Sequence, residues 1–265
     1  MYSSFQLALK YCRYLLTASN SRGHGVHSPF VYEFIRQVLN DKRQFDCFNS
    51  IEYLRGQLKK DTTEIAVPDF GAGSRLQLSN TRKISSIAAS SLKSKKYSQL
   101  LFRIVHFYKP RTILELGTSL GITTSYLSCA NPDAKVITLE GAPEIAKFAK
   151  NNFDELDLSN IEIVEGNFDQ TLPPVIRRLQ TLDFAFIDGN HRKAPTLHYF
   201  DQLLQISDHS SIFVFDDIHW STEMEAAWME ITGHRSVMLS IDLFFIGIVF
   251  FRAGQKTKEH FTIRF

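Results

Sequence analysis

The sequence predicts an α/β fold built around a mostly parallel sheet, and two observations lead to this prediction. Short apolar runs rich in Val, Ile, Leu and Phe recur after residue 110. Helical patterns of about 10–15 residues separate these runs, which is the alternation typical of βαβ units. A chain of 265 residues with 44% hydrophobic content is also long and apolar enough to bury a full core.

The first of these runs opens the most informative segment, residues 112–121, with the sequence TILELGTSLG. An apolar strand leads into a turn bracketed by Gly117 and Gly121, and a helical pattern follows. Open α/β sheets hold nucleotide-like ligands with this geometry of strand, tight turn and helix N-terminus. Ser119 stands where the dinucleotide fingerprint needs a glycine, and the chain has no G-x-x-x-x-G-K-[ST] phosphate loop.

Acidic or polar residues follow the other four apolar runs. One run ends in Glu140, another stops at Asp188, and the remaining two lead into residues 165–168 and into the pair Asp216 and Asp217. An acidic residue at the tip of the second strand is placed to hold a ribose diol with two charge-assisted hydrogen bonds. The pattern therefore predicts a ligand crevice at the carboxyl ends of the strands.

The first part of the chain is predicted to be helical and basic. Helical spacing of apolar residues begins near Phe5, Pro29, Ile51, Lys83 and Lys96. The first 110 residues contain 17 Lys and Arg against 7 Asp and Glu, whereas the rest of the chain contains 13 against 21. We therefore expect an N-terminal helical cap, residues 1–109, packed on an α/β domain formed by residues 110–265.

Two loops in the cap are candidates for contact with a ligand. The residues singled out in them are His24, His27, Gly71, Gly73 and Ser74. The second loop contains a D-x-G-x-G sequence that could itself hold a cofactor, but a proline interrupts the strand before it. A loop that closes over the site and a plain surface turn are the other two interpretations.

Composition argues against several classes of protein. The longest nearly unbroken apolar run, residues 243–251, is too short to span a bilayer. The first residues lack the basic start of a signal peptide. Cys12, Cys47 and Cys129 have no CxxC or metal-binding spacing, and we expect free thiols in a reducing cytoplasm.

Residues 112–228 resemble the class I S-adenosylmethionine (SAM) methyltransferases, and within them the small metal-dependent O-methyltransferases of the catechol and caffeoyl-CoA type and related bacterial enzymes. The resemblance rests on the acidic–apolar–Gly–x–x–x–Gly motif at 115–121, on IDGNH at 187–191 and on FDDIHW at 215–220. It implies a Rossmann-like seven-stranded mixed sheet with the strand order 3-2-1-4-5-7-6 and helices on both faces. Strands one, four and five are neighbours in this order, so their carboxyl ends would share one crevice.

The resemblance also implies a set of site residues. Those expected to bind SAM are Glu115, Gly117, Thr118, Ser119, Gly121, Glu140, Gly166, Asn167, Phe168 and Asp188. The expected ligands of Mg²⁺ or another divalent cation are Asp188, Asp216 and Asp217, the last in place of the family's asparagine. His191 stands at the position of the general base, and Asp188 shares the catalytic role. Trp220 and the loop residues named above are expected near the substrate.

Each of these residues also has a simpler structural interpretation. Gly117 and Gly121 could be ordinary strand-to-helix turns, and Glu140 could be a solvated residue or a helix cap. The aspartates could be turn residues or N-caps, a role that aspartate often has. His191 could be a loop histidine that faces solvent. The sequence leaves these alternatives open.

The favoured function is SAM-dependent, metal-assisted O-methylation of a small-molecule hydroxyl in the cytoplasm. Methylation of nucleic acid is one alternative, prompted by the basic N-terminal part. Against it, the fourth strand ends in IDGN rather than [DN]-P-P-[FYW], and no RNA-binding motif occurs. A catalytically silent SAM-binding protein is the other alternative. The basic cap further suggests an anionic acceptor, and we also expect a homodimer.

Overall fold

A computed structural model describes residues 1–19, 23, 27–67 and 81–265. Within this part, the chain divides into two compact units. We call residues 42–178 the mid-chain unit, and residues 1–41 with 179–265 the terminal unit. Neither boundary coincides with the division expected at residue 110, which stays a prediction.

Strands and helices alternate along the chain from residue 112 to residue 233. The helices are α1 (Ser4–Thr17), α2 (Pro29–Phe34), α3 (Asp46–Leu58), α4 (Ile84–Ser91), α5 (Lys95–Tyr108), α6 (Ile122–Ala130), α7 (Pro143–Glu155), α8 (Phe168–Arg178), α9 (Lys193–Leu204) and α10 (Thr222–Gly233). A π-helical segment, Ile35–Leu39, continues α2. The strands are β1 (Glu64–Ala66), β2 (Thr81–Lys83), β3 (Thr112–Leu116), β4 (Lys135–Glu140), β5 (Ile161–Glu165), β6 (Phe184–Ile187), β7 (Ile212–Asp216), β8 (Leu239–Asp242), β9 (Ile246–Phe250) and β10 (Glu259–Thr262).

Eight of the strands belong to the main sheet, three in the mid-chain unit and five in the terminal unit. The mid-chain strands lie in the order β5-β4-β3 and are all parallel, with Ile113 opposite Val136. The terminal strands lie in the order β6-β7-β9-β8-β10. There, β9 runs antiparallel to both β7 and β8, and β10 runs parallel to β8. Every residue of β6, β7 and β9 is buried, as continuous apolar runs in a covered sheet require.

The predicted mixed α/β sheet is confirmed, and in the described ranges it has eight strands instead of the expected seven. Predicted strands 3-2-1 correspond to β5-β4-β3, and predicted strands 4-5-7-6 correspond to β6-β7-β9-β8. The added strand is β10, which lies beyond β8 at the end of the order. Its four residues, EHFT, are too few and too polar to give a clear hydrophobic period.

A second correction concerns the N-terminal segment, which is not purely helical. Strands β1 and β2 pair antiparallel, with Ile65 opposite Arg82. Each strand has only three residues, which is shorter than the window in which alternation can be recognised. The predicted helices of this segment are present as α1 to α5, and none of the helices in the described ranges is long and apolar enough to cross a membrane.

Candidate active site

The glycine turn after β3 has the backbone of a tight strand-to-helix connection. Gly117 has φ 106° and Gly121 has φ 79°, values at which a side chain is strained. Ser119 also has a positive φ, 49°. The Gly117 amide donates to the Leu139 carbonyl at 3.0 Å, and the Gly121 amide donates to the Thr118 carbonyl at 3.0 Å. The turn is therefore fixed both internally and by the end of β4.

Gly121 is required by packing as well as by its backbone angle. A Cβ atom at this position would lie 2.5 Å from Cε1 of Phe153 on α7. The same helix holds the turn through Asn152, whose Nδ2 donates to the Leu120 carbonyl at 2.9 Å. Helix α7 therefore approaches the turn so closely that the Phe153 ring would have to shift to admit a larger residue at position 121.

Glu115, near the end of β3, is fully buried and connects β3 to the neighbouring elements. Its carboxylate accepts hydrogen bonds from the hydroxyls of Thr124 on α6 and Thr138 on β4, the latter at 2.7 Å. Thr118 and Thr138 share a further hydrogen bond of 2.6 Å between their hydroxyl oxygens. These bonds give Glu115 a positioning role, since they tie the start of α6 and the start of the glycine turn to β4.

Glu140 at the end of β4 is bound to the glycine turn. Its Oε2 accepts from the Ser119 amide at 2.9 Å, and its Oε1 accepts from the Ala142 amide at 3.0 Å. Burial raises the pKa of Glu140 above its ordinary value, although the backbone amides of Ala142, Ser119 and Gly141 act in the opposite direction. The Ser119 hydroxyl is buried and has no hydrogen-bond partner in the part of the chain that the structure describes. A buried hydroxyl of this kind is an available contact for a polar ligand.

The residues after β5 form the start of α8. Gly166 has φ 128°, and its amide donates to the Glu140 carbonyl at 2.8 Å. The side-chain oxygen of Asn167 accepts from the Asp169 amide at 2.9 Å, which is the bonding pattern of a helix N-cap. Phe168 is the first residue of α8 and is half-buried. The Asn167 oxygen is thus engaged in the cap.

The terminal unit contains a cluster of three side chains that could share a metal ion. Asp188 follows β6, Asp216 is the last residue of β7, and His191 lies in the loop after β6. One ligand atom from each of these residues lies within 4.8 Å of the others. His191 Nε2 is 3.5 Å from Asp188 Oδ1, and Asp216 is only 1% exposed.

The backbone around this cluster is strained. Asn190, His191 and Asp217 have φ angles of 69°, 34° and 53°. Positive φ is uncommon for residues other than glycine, and such angles collect at functional sites. The three residues are of the types, Asn, His and Asp, that adopt positive φ more readily than other side chains.

The cluster fits a divalent cation. Protein ligands bind Zn²⁺, Mg²⁺ and Ca²⁺ at about 2.0–2.6 Å, so ligand atoms that share one ion lie within about 5 Å of each other. The three atoms fall inside this limit. Two carboxylates suit Mg²⁺ and Mn²⁺, and an imidazole adds affinity for Mn²⁺ and other transition metals.

The cluster differs from the predicted ligand set in one member. It joins Asp188 and Asp216 as expected, but within the described ranges it includes His191 and not Asp217. The Asp217 amide donates to the Phe245 carbonyl at 2.7 Å, and its carbonyl accepts from the Trp220 amide at 2.9 Å. Asp217 therefore begins a tight turn through its backbone, and the role of its side chain as a metal ligand stays a prediction.

The predicted substrate and lid residues are only partly described. Trp220 is half-buried, and its carbonyl accepts from the Tyr2 amide at 3.1 Å. His27 is exposed. The remaining residues lie outside the described ranges: His24, Gly71, Gly73 and Ser74.

His219 is a residue that the sequence reasoning missed. Its Nδ1 lies 3.0 Å from Glu225 Oε1, and its Nε2 lies 2.8 Å from Asp242 Oδ2. Burial lowers the pKa of His219, but the hydrogen bonds and charges of Asp242 and Glu225 outweigh it and raise the pKa above its ordinary value. The FDDIHW segment contains this histidine, but its partners lie elsewhere in the chain.

Comparison with known proteins agrees with this geometry. Residues 114–218 match the family model of a methyltransferase domain. Over these residues, the chain is similar to methyltransferase domains. A curated relative, the O-methyltransferase imqG of Aspergillus flavus, is 29% identical over 111 residues, which are 40% of this chain and 44% of that protein. The matched region therefore spans less than half of that relative.

Solved methyltransferase structures share the fold. The O-methyltransferase of Bacillus cereus, in complex with SAH, has a TM-score of 0.57 and 18% identity, over 83% of this chain and 97% of that one. The O-methyltransferase TomG of Streptomyces achromogenes, involved in tomaymycin synthesis and in complex with SAM, has a TM-score of 0.54 and 16% identity, over 84% and 95%. At 18% and 16% identity, these similarities show that the chain shares the fold of these proteins.

Proposed function

We propose that this protein is a SAM-dependent O-methyltransferase that acts on a hydroxyl of a small molecule with the assistance of a divalent cation. The observation that supports this proposal most is that the glycine turn and the Asp188–His191–Asp216 cluster both fall within residues 114–218, the segment that matches the methyltransferase family model. The turn alone would suit any SAM-binding protein. The cluster adds the carboxylates and the imidazole that activation of an oxygen nucleophile requires.

We assign SAM binding to the glycine turn and to the ends of β4 and β5. Bound SAM supplies an electrophilic methyl group, so the protein contributes mainly position and removal of the acceptor's proton. In this assignment, the Ser119 hydroxyl contacts a polar group of the ligand, because it is buried and has no partner in the described ranges. Glu140 holds the ribose hydroxyls, and Asn167 and Phe168 lie against the adenine.

We assign the metal to the ends of β6 and β7. Asp188 and Asp216 would hold a Mg²⁺- or Mn²⁺-like ion, which when bound lowers the pKa of an acceptor hydroxyl and orients it. Two residues are candidates for the third ligand. The resemblance to the O-methyltransferases favours Asp217, and the position of its ring nitrogen near the two carboxylates favours His191. Our primary assignment for His191 is the general base, because an imidazole nitrogen beside the acceptor can take up its proton.

Methyl transfer from SAM to catechol tests the proposal. We expect activity with Mg²⁺ or Mn²⁺, its loss in excess chelator and its return when the metal is restored. His191→Ala should lower kcat by ~10²–10⁴-fold and leave SAM binding almost intact. A loss of Mn²⁺ affinity in this variant would instead identify His191 as a ligand.

The alternatives give different results in the same experiment. Turnover that is unchanged in chelator would remove the metal from the mechanism. SAM binding without transfer to any hydroxyl acceptor would favour the catalytically silent alternative. Tighter binding of NAD than of SAM in calorimetry would contradict the cofactor assignment.

A further inference from the structure

The N-terminal helix α1 is connected to the turn after β7 by hydrogen bonds within the terminal unit. Glu225 on α10 is central to this connection. Its carboxylate accepts from Lys10 Nζ at 2.9 and 3.1 Å and from the Tyr2 hydroxyl at 2.6 Å. The same carboxylate lies 3.0 Å from Nδ1 of His219. One side chain therefore joins the N-terminal segment to a residue three positions beyond Asp216.

His219 extends the connection to the β8–β9 hairpin. Its Nε2 lies 2.8 Å from Oδ2 of Asp242, which is 5% exposed. The other carboxylate oxygen, Oδ1, accepts from the Phe244 amide at 2.8 Å. Because both ring nitrogens face carboxylate oxygens, the imidazole is held in one orientation between α10 and the hairpin.

Aromatic packing joins α1 to the same hairpin. The rings of Tyr11 and Tyr14 lie 5.0 and 5.3 Å from the ring of Phe244, between centroids. The His219 ring lies 5.1 Å from it on the same measure. Phe244 has φ 72°, which is strained for a bulky residue. Such a conformation is retained where the surrounding contacts hold it in place. Tyr11 and Tyr14 of α1 make two of these contacts.

The turn that follows Asp216 is bound at both ends by these elements. At its start, the Asp217 amide donates to the carbonyl of Phe245 in the hairpin at 2.7 Å. At its end, the Trp220 carbonyl accepts from the Tyr2 amide at 3.1 Å. Asp217 itself has a positive φ of 53°, which aspartate tolerates better than most residues, and the contacts at both ends help to hold the turn in this conformation.

We propose that α1 and His219 position the 216–220 turn, and with it the Asp216 carboxylate, for metal and acceptor binding. His219 is then a positioning residue that acts through the turn and does not touch the reacting atoms. The helix then contributes to binding of the metal and the acceptor, because loss of its contacts would make the segment that begins at Asp216 more mobile. The functional side of this proposal rests on the proposed O-methyltransferase activity, whereas the structural side does not.

Hydrogen exchange of the full-length protein tests the structural side. We expect Lys10→Met to accelerate exchange of the Asp217 and Trp220 amides by about three- to tenfold, because a partly exposed ion pair makes a modest contribution. Lys10→Arg should restore protection, since it can keep the bond to Glu225. Lys258→Met is the matched control: Lys258 Nζ donates to the Gly233 and His234 carbonyls at 2.6 and 2.8 Å and is not part of the connection. Equal protection of the two amides in Lys10→Met and in the wild type would overturn the proposal.

Binding and kinetics test the functional side. Lys10→Met should weaken Mn²⁺ binding, followed by electron paramagnetic resonance, and raise the KM for the acceptor, while the Kd for SAM stays unchanged. Faster exchange of the turn with unchanged Mn²⁺ affinity and unchanged acceptor KM would remove the functional role of α1. If the wild type neither binds Mn²⁺ nor transfers methyl groups, the proposed function fails, and the exchange experiment still decides whether α1 holds the turn. His219→Gln is a second variant. We expect it, too, to accelerate exchange of the turn amides, weaken Mn²⁺ binding and raise the KM for the acceptor.

Discussion

Glu140 combines a structural role with its proposed role in SAM binding. Its carboxylate oxygens accept from the Ser119 and Ala142 amides, and its burial raises its pKa. A ribose diol donates best to the ionised carboxylate, because hydrogen bonds to charged groups are the stronger ones. A ligand that prefers the ionised form must bind less tightly once the pH falls through the raised pKa.

We therefore expect SAM affinity to be full at pH values above the raised pKa of Glu140 and to decline as the pH falls through it. Glu140→Gln, which preserves shape but not charge, should weaken SAM binding by about tenfold or more at neutral pH, the equivalent of ~1.5–3 kcal/mol. The SAM affinity of the Glu140→Gln variant should also change less with pH than that of the wild type. Calorimetry across pH measures both effects, and equal Kd values for the two proteins at neutral pH would contradict the ribose assignment.

Gly121 offers a test of the glycine turn that needs no ligand. Gly121→Ala should destabilise the protein, because the new Cβ would lie 2.5 Å from the Phe153 ring and because φ is 79°. Overpacking typically costs ~1–3 kcal/mol, and a left-handed backbone adds about 1–2 kcal/mol for a residue with a side chain. Gly56→Ala is the control, since it lies within α3 and a Cβ there meets nothing within 4 Å.

Urea unfolding measures this pair of variants. The control should be unchanged or more stable by about 0.5–1 kcal/mol, because alanine favours a helix more than glycine does. A Gly121→Ala protein as stable as the wild type would mean that α7 can move away from the turn, and that the close packing does not define it.

Single residues also show which features can be predicted from the sequence and which cannot. Gly117 and Gly121 could be identified because local backbone geometry requires glycine, and such requirements are written in short motifs. His219 could not, because no short motif specifies its partners Glu225 and Asp242, and Glu225 is in turn bound by Lys10, 215 positions away. The burial that raises the pKa of Glu140 is likewise a tertiary effect.

Among the elements, the strands that the sequence predicted are those with long apolar runs. β3 to β7 were recognisable because a covered parallel sheet needs continuous apolar sequence followed by turn residues. β1, β2 and β10 have three, three and four residues. β6 also has four residues, but it ends the mostly apolar run 182–187. A short strand without such a run is specified mainly by the partner with which it pairs.

The ends of β6 and β7 provide the sharpest comparison between the predicted ligand set and the observed cluster. Asp188 and Asp216 belong to both, Asp217 only to the first and His191 only to the second. Because the cluster of ligand atoms in the described ranges does not include Asp217, we expect Asp217→Asn to retain most of the Mn²⁺ affinity. Asp216→Asn should lose tenfold or more, because a charged ligand contributes ~1.5–3 kcal/mol or more. Titration of Mn²⁺ followed by electron paramagnetic resonance ranks the two variants, and the reverse order would restore the predicted triad.

Over the whole chain, charge is distributed unevenly in a way that bears on the acceptor. The first 110 residues have an excess of ten positive charges, and the rest have an excess of eight negative ones. Such a field raises the local concentration of ligands of the opposite sign and accelerates their association. Part of the positive charge is already engaged, as Lys10 is with Glu225 and Arg55 with Glu52, so the remaining exposed cations determine any attraction.

We expect this asymmetry to favour an anionic acceptor, such as one with a carboxylate, phosphate or coenzyme A group. The Debye length falls from about 30 Å at 0.01 M salt to about 10 Å at 0.1 M, so kcat/KM for an anionic acceptor should decline over this range. A neutral acceptor of matched shape should show little change, and SAM affinity serves as the control for general salt effects. Steady-state kinetics of the two acceptors against NaCl concentration measure the difference. If the neutral acceptor is preferred at every ionic strength, the positive charge of the N-terminal segment serves some purpose other than acceptor recruitment.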